Sequence, residues 1–218
     1  MIHPTHVLVI GARESELSLL EAVSRRYPTA DLRYVMLQAP DMFNYDISAV
    51  SDFDKKTWRV ISCLDERGVN FSRAKTYFDL RIAGFKFETF VAASSEVASD
   101  AKLGDGVLIK SMTILGAGAQ LGTNCHIGAR VSIGNGFKAG KHCWVSDGVV
   151  IGDDVQLLDY TTIGSGSVLE TGVKVGRMCE LFNKKFYTGT IPDMTFFLWE
   201  GIGPSRIYDC GKLSSSNE

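Results

Sequence analysis

The sequence predicts a small α/β, Rossmann-like N-terminal domain over residues 1–88, then a left-handed parallel β-helix of hexapeptide repeats over 89–182, then a tail over 183–218. Three observations predict it. Sixteen positions spaced by six, from Val91 to Leu181, are all aliphatic. The position after each is often glycine. Residues 6–87 instead alternate short apolar runs with helical patterns.

The first element is the apolar run His6-Val7-Leu8-Val9-Ile10, a short buried strand. After Gly11, Leu17, Leu20 and Val23 recur at helical spacing as far as Arg26. Leu32–Leu37 and Trp58–Ser62 read as further strands, and Ser72–Ile82 as a second helix. This strand–helix–strand order predicts a parallel sheet. In such folds anionic groups bind in the loop after the first strand, at a helix N-terminus. Here that loop is Gly11-Ala12-Arg13-Glu14-Ser15, with one glycine rather than three.

The repeat follows. A helix needs apolar spacing near 3.6 and a two-sided strand a spacing near 2. A period of six with β-branched runs and glycine punctuation suits a chain that extends, turns and extends again. Three sides make a coil of 18 residues, and coils stack about 4.8 Å apart through parallel backbone hydrogen bonds. The hexad aliphatic points inward. So does the small residue two places earlier, as in Val107, Cys125, Val131, Cys143, Val149, Thr161 and Val173, with Phe137 the exception. Gly106, Gly118, Gly136, Gly148, Gly166 and Gly172 come three places after an aliphatic, where the turn calls for positive φ. Cys125, Cys143 and Cys179 fall in one column with Val107 and Thr161 and read as small core residues.

The repeat is read as stopping after Leu181. Phe186, Tyr187, Phe196, Phe197 and Trp199 form an aromatic segment expected to pack back on its own domain or on a neighbouring subunit, and residues 214–218 are expected to be disordered. The formal net charge of −2 offers no footprint for nucleic acid or an acidic membrane. No apolar run approaches the roughly 20 residues that span a bilayer. An odd cysteine count, five, without C-x-x-C pairs and an N-terminus without a basic leader fit a reducing, cytoplasmic setting.

The hexad run, the opening Val7-Leu8-Val9-Ile10-Gly11-Ala12 and the junction Gly84-Phe85-Lys86-Phe87 before Phe90-Val91 together resemble the bacterial acyltransferases of nucleotide-linked amino sugars. That group includes the bacillosamine and perosamine N-acetyltransferases and the sialic acid O-acetyltransferase-like proteins. The resemblance implies a homotrimer with acyl-CoA as co-substrate in the groove between adjacent β-helices, here beside Trp144, Ser146 and Gly164. It also implies a nucleotide-linked sugar on the N-terminal domain, here at Gly11, Ala12, Arg13 and Gln38.

Three departures from that pattern bear on chemistry. Asn135 stands where the family has its general base, a histidine two places after the hexad aliphatic; asparagine orients but takes no proton. Trp144 stands where a second family histidine falls nine residues on, and Gly189-Thr190-Ile191-Pro192-Asp193-Met194 departs from the closing Gly-x-Pro-Ala-Lys. The stand-in catalytic candidates are Asn135, His126 and Asp153, weighed against surface or turn placement for His126 and His142 and against turn capping for Asp147, Asp153 and Asp154. Only His126 and His142 occur in the repeat, short of the three histidines of a zinc site, so no metal is expected. Loss of the base favours N-acylation over O-acylation. The competing readings are a sugar O-acetyltransferase and a non-catalytic trimeric binding scaffold.

Overall fold

The computed structural model describes residues 4–12, 17–183, 186–198 and 204–206. Arg13, Trp199, Cys210 and residues 214–218 lie outside the described residues.

The N-terminal domain is a four-stranded parallel sheet of β1 (His6–Gly11), β2 (Asp31–Met36), β3 (Trp58–Cys63) and β4 (Lys86–Phe87), in the order β2-β1-β3-β4. Helices α1 (Leu17–Arg26) and α2 (Phe71–Ile82) connect its strands. Alternation along β1 sorts its side chains. Leu8 and Ile10 join Val60, Leu64, Tyr77, Leu80, Phe85 and Phe87 in one core. Val7 and Val9 join Leu19 and Val23 of α1 in another, which runs on into Phe90 and Leu108 of the next domain. Continuous apolar packing therefore joins the two parts.

From Phe90 onward the chain is a left-handed parallel β-helix with three sheets of short strands. Successive coils pair in register at a spacing of 18, as in Ile109↔Ile127↔Val145↔Ile163↔Leu181. The inward aliphatics and the small column two places before them form one core in which Cys125, Cys143 and Phe137 are all fully buried. The described cysteines are buried. The six glycines predicted to need positive φ have it, at 68–76°. The glycine following a hexad aliphatic has a different cause: a Cβ on Gly122 would sit 2.5 Å from the Gly140 carbonyl oxygen of the next coil.

The repeat does not stop at Leu181. Phe186–Tyr187 pairs with Val168–Leu169, Thr190–Ile191 with Lys174–Val175, and Phe196–Phe197 with Glu180–Leu181. The step from Tyr187 to Ile191 is four residues instead of six, and two inward positions are aromatic, which hides the frame from an aliphatic count. Tyr187 and Phe197 enter the core and meet edge to face at 5.5 Å, so these two aromatic residues pack on their own domain, whereas Phe186 is exposed.

The three outer faces differ. One carries Phe90, Leu108, His126, Trp144 and Thr162 and lies under the N-terminal domain. A second is polar, with Lys102, Gln120, Lys138 and Lys174 exposed. The third exposes apolar side chains, Ile114 at 51%, Val150 at 46% and Phe186 at 59%. Among the described residues no helix is long and apolar enough to cross a membrane.

Candidate active site at the corners and the domain junction

Asn135 and Asp153 stack at one corner of the prism, between the apolar and the polar face. Asn135 Oδ1 accepts the Ala117 N–H at 2.9 Å, and Asp153 Oδ1 accepts the Asn135 N–H at 2.6 Å. Each side chain caps the turn one coil before it. Asp147 does the same for Ala129 at 2.8 Å, so turn capping accounts for both acids. Both Asn135 and Asp153 remain exposed. Because Oδ1 of Asn135 is held by a backbone donor, Nδ2 is the atom of its amide left for a further partner. Asn135 thus offers a hydrogen-bond donor and no base.

Trp144, Ser146 and Gly164 lie at or next to another corner, at the opposite edge of the apolar face. Within one protomer the two groups of predicted residues do not meet. Trp144 Nε1 donates to Ser146 Oγ at 3.0 Å. Gly164 is buried, and a Cβ there would come 2.8 Å from Phe182 Cα.

His126 is not a surface residue. It is 1% exposed, sealed beneath the N-terminal domain, and its ring stacks on Trp144 with centroids 3.6 Å apart. Neither ring nitrogen has a hydrogen-bond partner among the described residues. Burial, helped by the cations Lys110 and Arg73, holds its pKa well below the usual range. A neutral, sealed imidazole cannot reach a substrate amine in this arrangement. His142 is at a turn, with φ 58°, but it is also buried, stacked on Tyr160 and bonded through Nδ1 to Asn124 Nδ2 at 3.1 Å. The alternative weighed for each was a surface or turn histidine; α2 covers the corner and face on which they lie.

The residues that fasten α2 there were not visible as a motif. Arg73 is 2% exposed, donates to Asn70 Oδ1 at 2.7 Å and to the Asn124 carbonyl at 2.7 Å, and lies 5.1 Å from the Trp144 ring centre. Asn70 Nδ2 donates to Thr162 Oγ1 at 2.8 Å. Gly68, Val69 and Asn70 all have φ between 54 and 63°. A β-branched residue there is a rare, strained conformation, and it sits where β3 hands over to α2. A glycine and an asparagine just before an amphipathic helix were the available signal.

Gly11, Ala12 and Gln38 gather at the C-terminal edge of the sheet. The Gly11 carbonyl accepts the Leu37 N–H at 2.8 Å, Ala12 is half-buried, and Gln38 is exposed one residue further on. The chain leaves β1 toward β2 on one side and β3 toward β4 on the other, which is where open parallel sheets bind ligands. No cluster of three or more metal-ligating side chains occurs among the described residues.

No protein-family model matches the chain, and no curated protein matches it by sequence. Solved structures match it in fold. The acetyltransferase domain of PglB from Neisseria gonorrhoeae, in complex with acetyl coenzyme A, has a TM-score of 0.74 at 13% identity over 89% of this chain and 96% of that one. PerB from Caulobacter crescentus, in complex with CoA and GDP-perosamine, has 0.62 at 17% over 90% and 94%. A histidine-to-asparagine variant of perosamine N-acetyltransferase from that organism, with the same ligands, has 0.58 at 16% over 90% and 93%. The shared architecture spans both parts of the chain: the α/β domain, the β-helix and their order.

Proposed function

We propose that the chain is an acyl-CoA-dependent N-acyltransferase of a nucleotide-linked amino sugar, acting as a homotrimer without an enzymic histidine at the base position. The observation that carries this reading is the fold likeness over about nine-tenths of each chain to the PglB domain, which binds acetyl coenzyme A, and to PerB, which binds CoA and GDP-perosamine. The edge at Gly11, Ala12 and Gln38 is the proposed nucleotide end, with Arg13 beside it in sequence. Trp144, Ser146 and Gly164 are the proposed CoA side. Asn135 lies a face away from them in one protomer, so a neighbour has to supply it. The exposed apolar face bearing Ile114, Val150 and Phe186 fits burial against that neighbour.

The chemistry balances without a protein base. The neutral sugar amine attacks the thioester carbonyl, the N–C bond forms, the C–S bond breaks, and the departing CoA sulfur takes the amine's proton. Asn135 Nδ2 donates to the carbonyl oxygen as its charge grows. The histidine-to-asparagine variant structure holds CoA and GDP-perosamine, so in that protein the exchange is compatible with both ligands. A hydroxyl acceptor needs a base far more than an amine does, and this disfavours O-acylation.

The test mixes the protein with acetyl-CoA and a panel of nucleotide-linked amino sugars and follows thiol release. Turnover with at least one acceptor is expected, and none with any would leave the scaffold reading. With turnover in hand, Asn135→Ala is expected to lower kcat by about a hundredfold with little change in KM.

A further inference from the structure

We propose that the groove between α1 and the β-helix takes the acyl chain of the acyl-CoA, that this chain is a short hydroxylated one rather than acetyl, and that Lys110 selects it. This rests on the acyl-CoA side proposed above and names the class of acyl group and the residue that sets it.

The position after a hexad aliphatic is often glycine, because a Cβ there meets the next coil. One column instead alternates: Lys110, Gly128, Ser146 and Gly164 follow Ile109, Ile127, Val145 and Ile163, which pair in register. Lys110 therefore stands in the column of the proposed CoA side, two coils and roughly 10 Å from Ser146. It is half-buried, and its ammonium has no ion-pair partner among the described residues. Its donors are open to a ligand.

Lys110 lines a hollow of about 220 Å³ whose wall is completed by Leu19 and Ala22 of α1 and by Ser111, Ala129 and Asp147 of the β-helix. A second hollow of about 250 Å³ shares Ala22 and Ser111 with the first and runs on to Ala92 and Ala93, one coil earlier. Together they continue the column past Ser146 toward the first coil, further than an acetyl group reaches. The alanines and Leu19 give this groove a narrow apolar wall, which suits methylene groups. Lys110 and Asp147 interrupt that wall. Asp147 Oδ1 accepts the Ala129 N–H at 2.8 Å, which leaves Oδ2 for another donor. An ammonium only donates and a carboxylate only accepts, so a hydroxyl satisfies both at once. A carboxylate on the chain would meet Lys110 but be repelled by Asp147. A chain of carbon alone would dry both groups and give neither a partner.

Isothermal titration of the full chain with CoA, acetyl-CoA, butanoyl-CoA, 3-hydroxybutanoyl-CoA and succinyl-CoA tests this. The hydroxylated ester is expected to bind at least about tenfold tighter than acetyl-CoA, and tighter than the butanoyl and succinyl esters. Lys110→Met keeps an unbranched side chain and removes the charge. It is expected to abolish the preference for 3-hydroxybutanoyl-CoA over butanoyl-CoA and to leave affinity for CoA itself unchanged. Ala22→Phe fills the groove from α1 and is expected to weaken 3-hydroxybutanoyl-CoA on the order of tenfold while changing acetyl-CoA little. Lys110→Met, at a half-buried position, decides the matter if Ala22→Phe fails to fold. Equal affinity for the acetyl and hydroxylated esters would overturn the proposal, as would tightest binding of the butanoyl or succinyl ester, or a preference that survives Lys110→Met. If neither CoA nor any ester binds, the acyl-CoA reading itself falls; if CoA and acetyl-CoA bind without the hydroxyacyl preference, this proposal alone falls.

Discussion

The inside of the β-helix and its outer face beneath the N-terminal domain are both buried, yet they are made of different residues. Inside, one side chain type repeats at one spacing, and Ile109, Ile127, Val145, Ile163 and Leu181 stack on one another. On the covered face, the same coils present Leu108, His126, Trp144, Thr162 and Glu180, with no repeated chemistry. The interior gains stability from burial of apolar area, about 1.5–3 kcal/mol for each large side chain. The junction adds to its apolar packing polar groups partnered one by one, Arg73, Asn70, Asn124 and Thr162, while the His126 nitrogens find no partner among the described residues. A stacked repeat can tolerate only what fits the prism, whereas a domain junction can keep polar groups wherever a partner reaches them.

The contrast can be broken at several points, from the largest expected effect to the smallest. Ile127→Ala removes an interior side chain with no room to collapse and should cost about 3–4 kcal/mol in urea unfolding. Arg73→Ala leaves the Asn124 carbonyl and Asn70 Oδ1 without their donor and opens a gap over Trp144, for about 3 kcal/mol. Arg73→Met fills the gap without the buried charge and should cost clearly less; an equal cost would mean that the cation itself holds the junction.

Acid should act on the junction and spare the interior. His142 faces Asn124, Tyr77, Phe78 and Tyr160, with Asp159, Lys141 and Arg73 nearby. Burial and the Arg73 cation lower its pKa from the ordinary 6.5 to about 4. Between these values the unfolded chain binds the proton and the folded chain does not. Stability is therefore full above 6.5 and falls as pH drops toward 4, by about 2–3 kcal/mol for this residue. His126 adds in the same direction. Urea midpoints measured from pH 7 to pH 4 check this, and His142→Gln should flatten the slope.

The smallest effect is expected at His126 itself. His126→Phe keeps a flat ring on Trp144 and removes two buried nitrogens that have no partner among the described residues. It should be neutral or stabilising by up to about 1 kcal/mol. A loss above 2 kcal/mol would mean that a ligand or ordered water meets those nitrogens.

The β-helix was legible because its constraint is local and repeated. Every coil needs an aliphatic inside, a small residue beside it and a turn that accepts positive φ, so Val91 to Leu181 and the six turn glycines could be read directly. Turn capping by Asp147 and Asp153 was also expected, but each accepts a backbone N–H of the preceding coil, 18 residues away, rather than of its own turn. The last coil escaped because the chain drops two residues between Tyr187 and Ile191 and replaces aliphatics with aromatics.

Sequence alone settled the fold class, the register of the coils and the inward columns, because each depends on residue type at a fixed spacing. The tertiary structure decided which outer face is covered, and with it that His126 is sealed while Asn135 stays open. Those outcomes depend on where α2 lands, through Asn70 and Arg73, on coils 51 and 92 residues away along the chain. No local period carries that information; it arises only when two separately encoded surfaces meet.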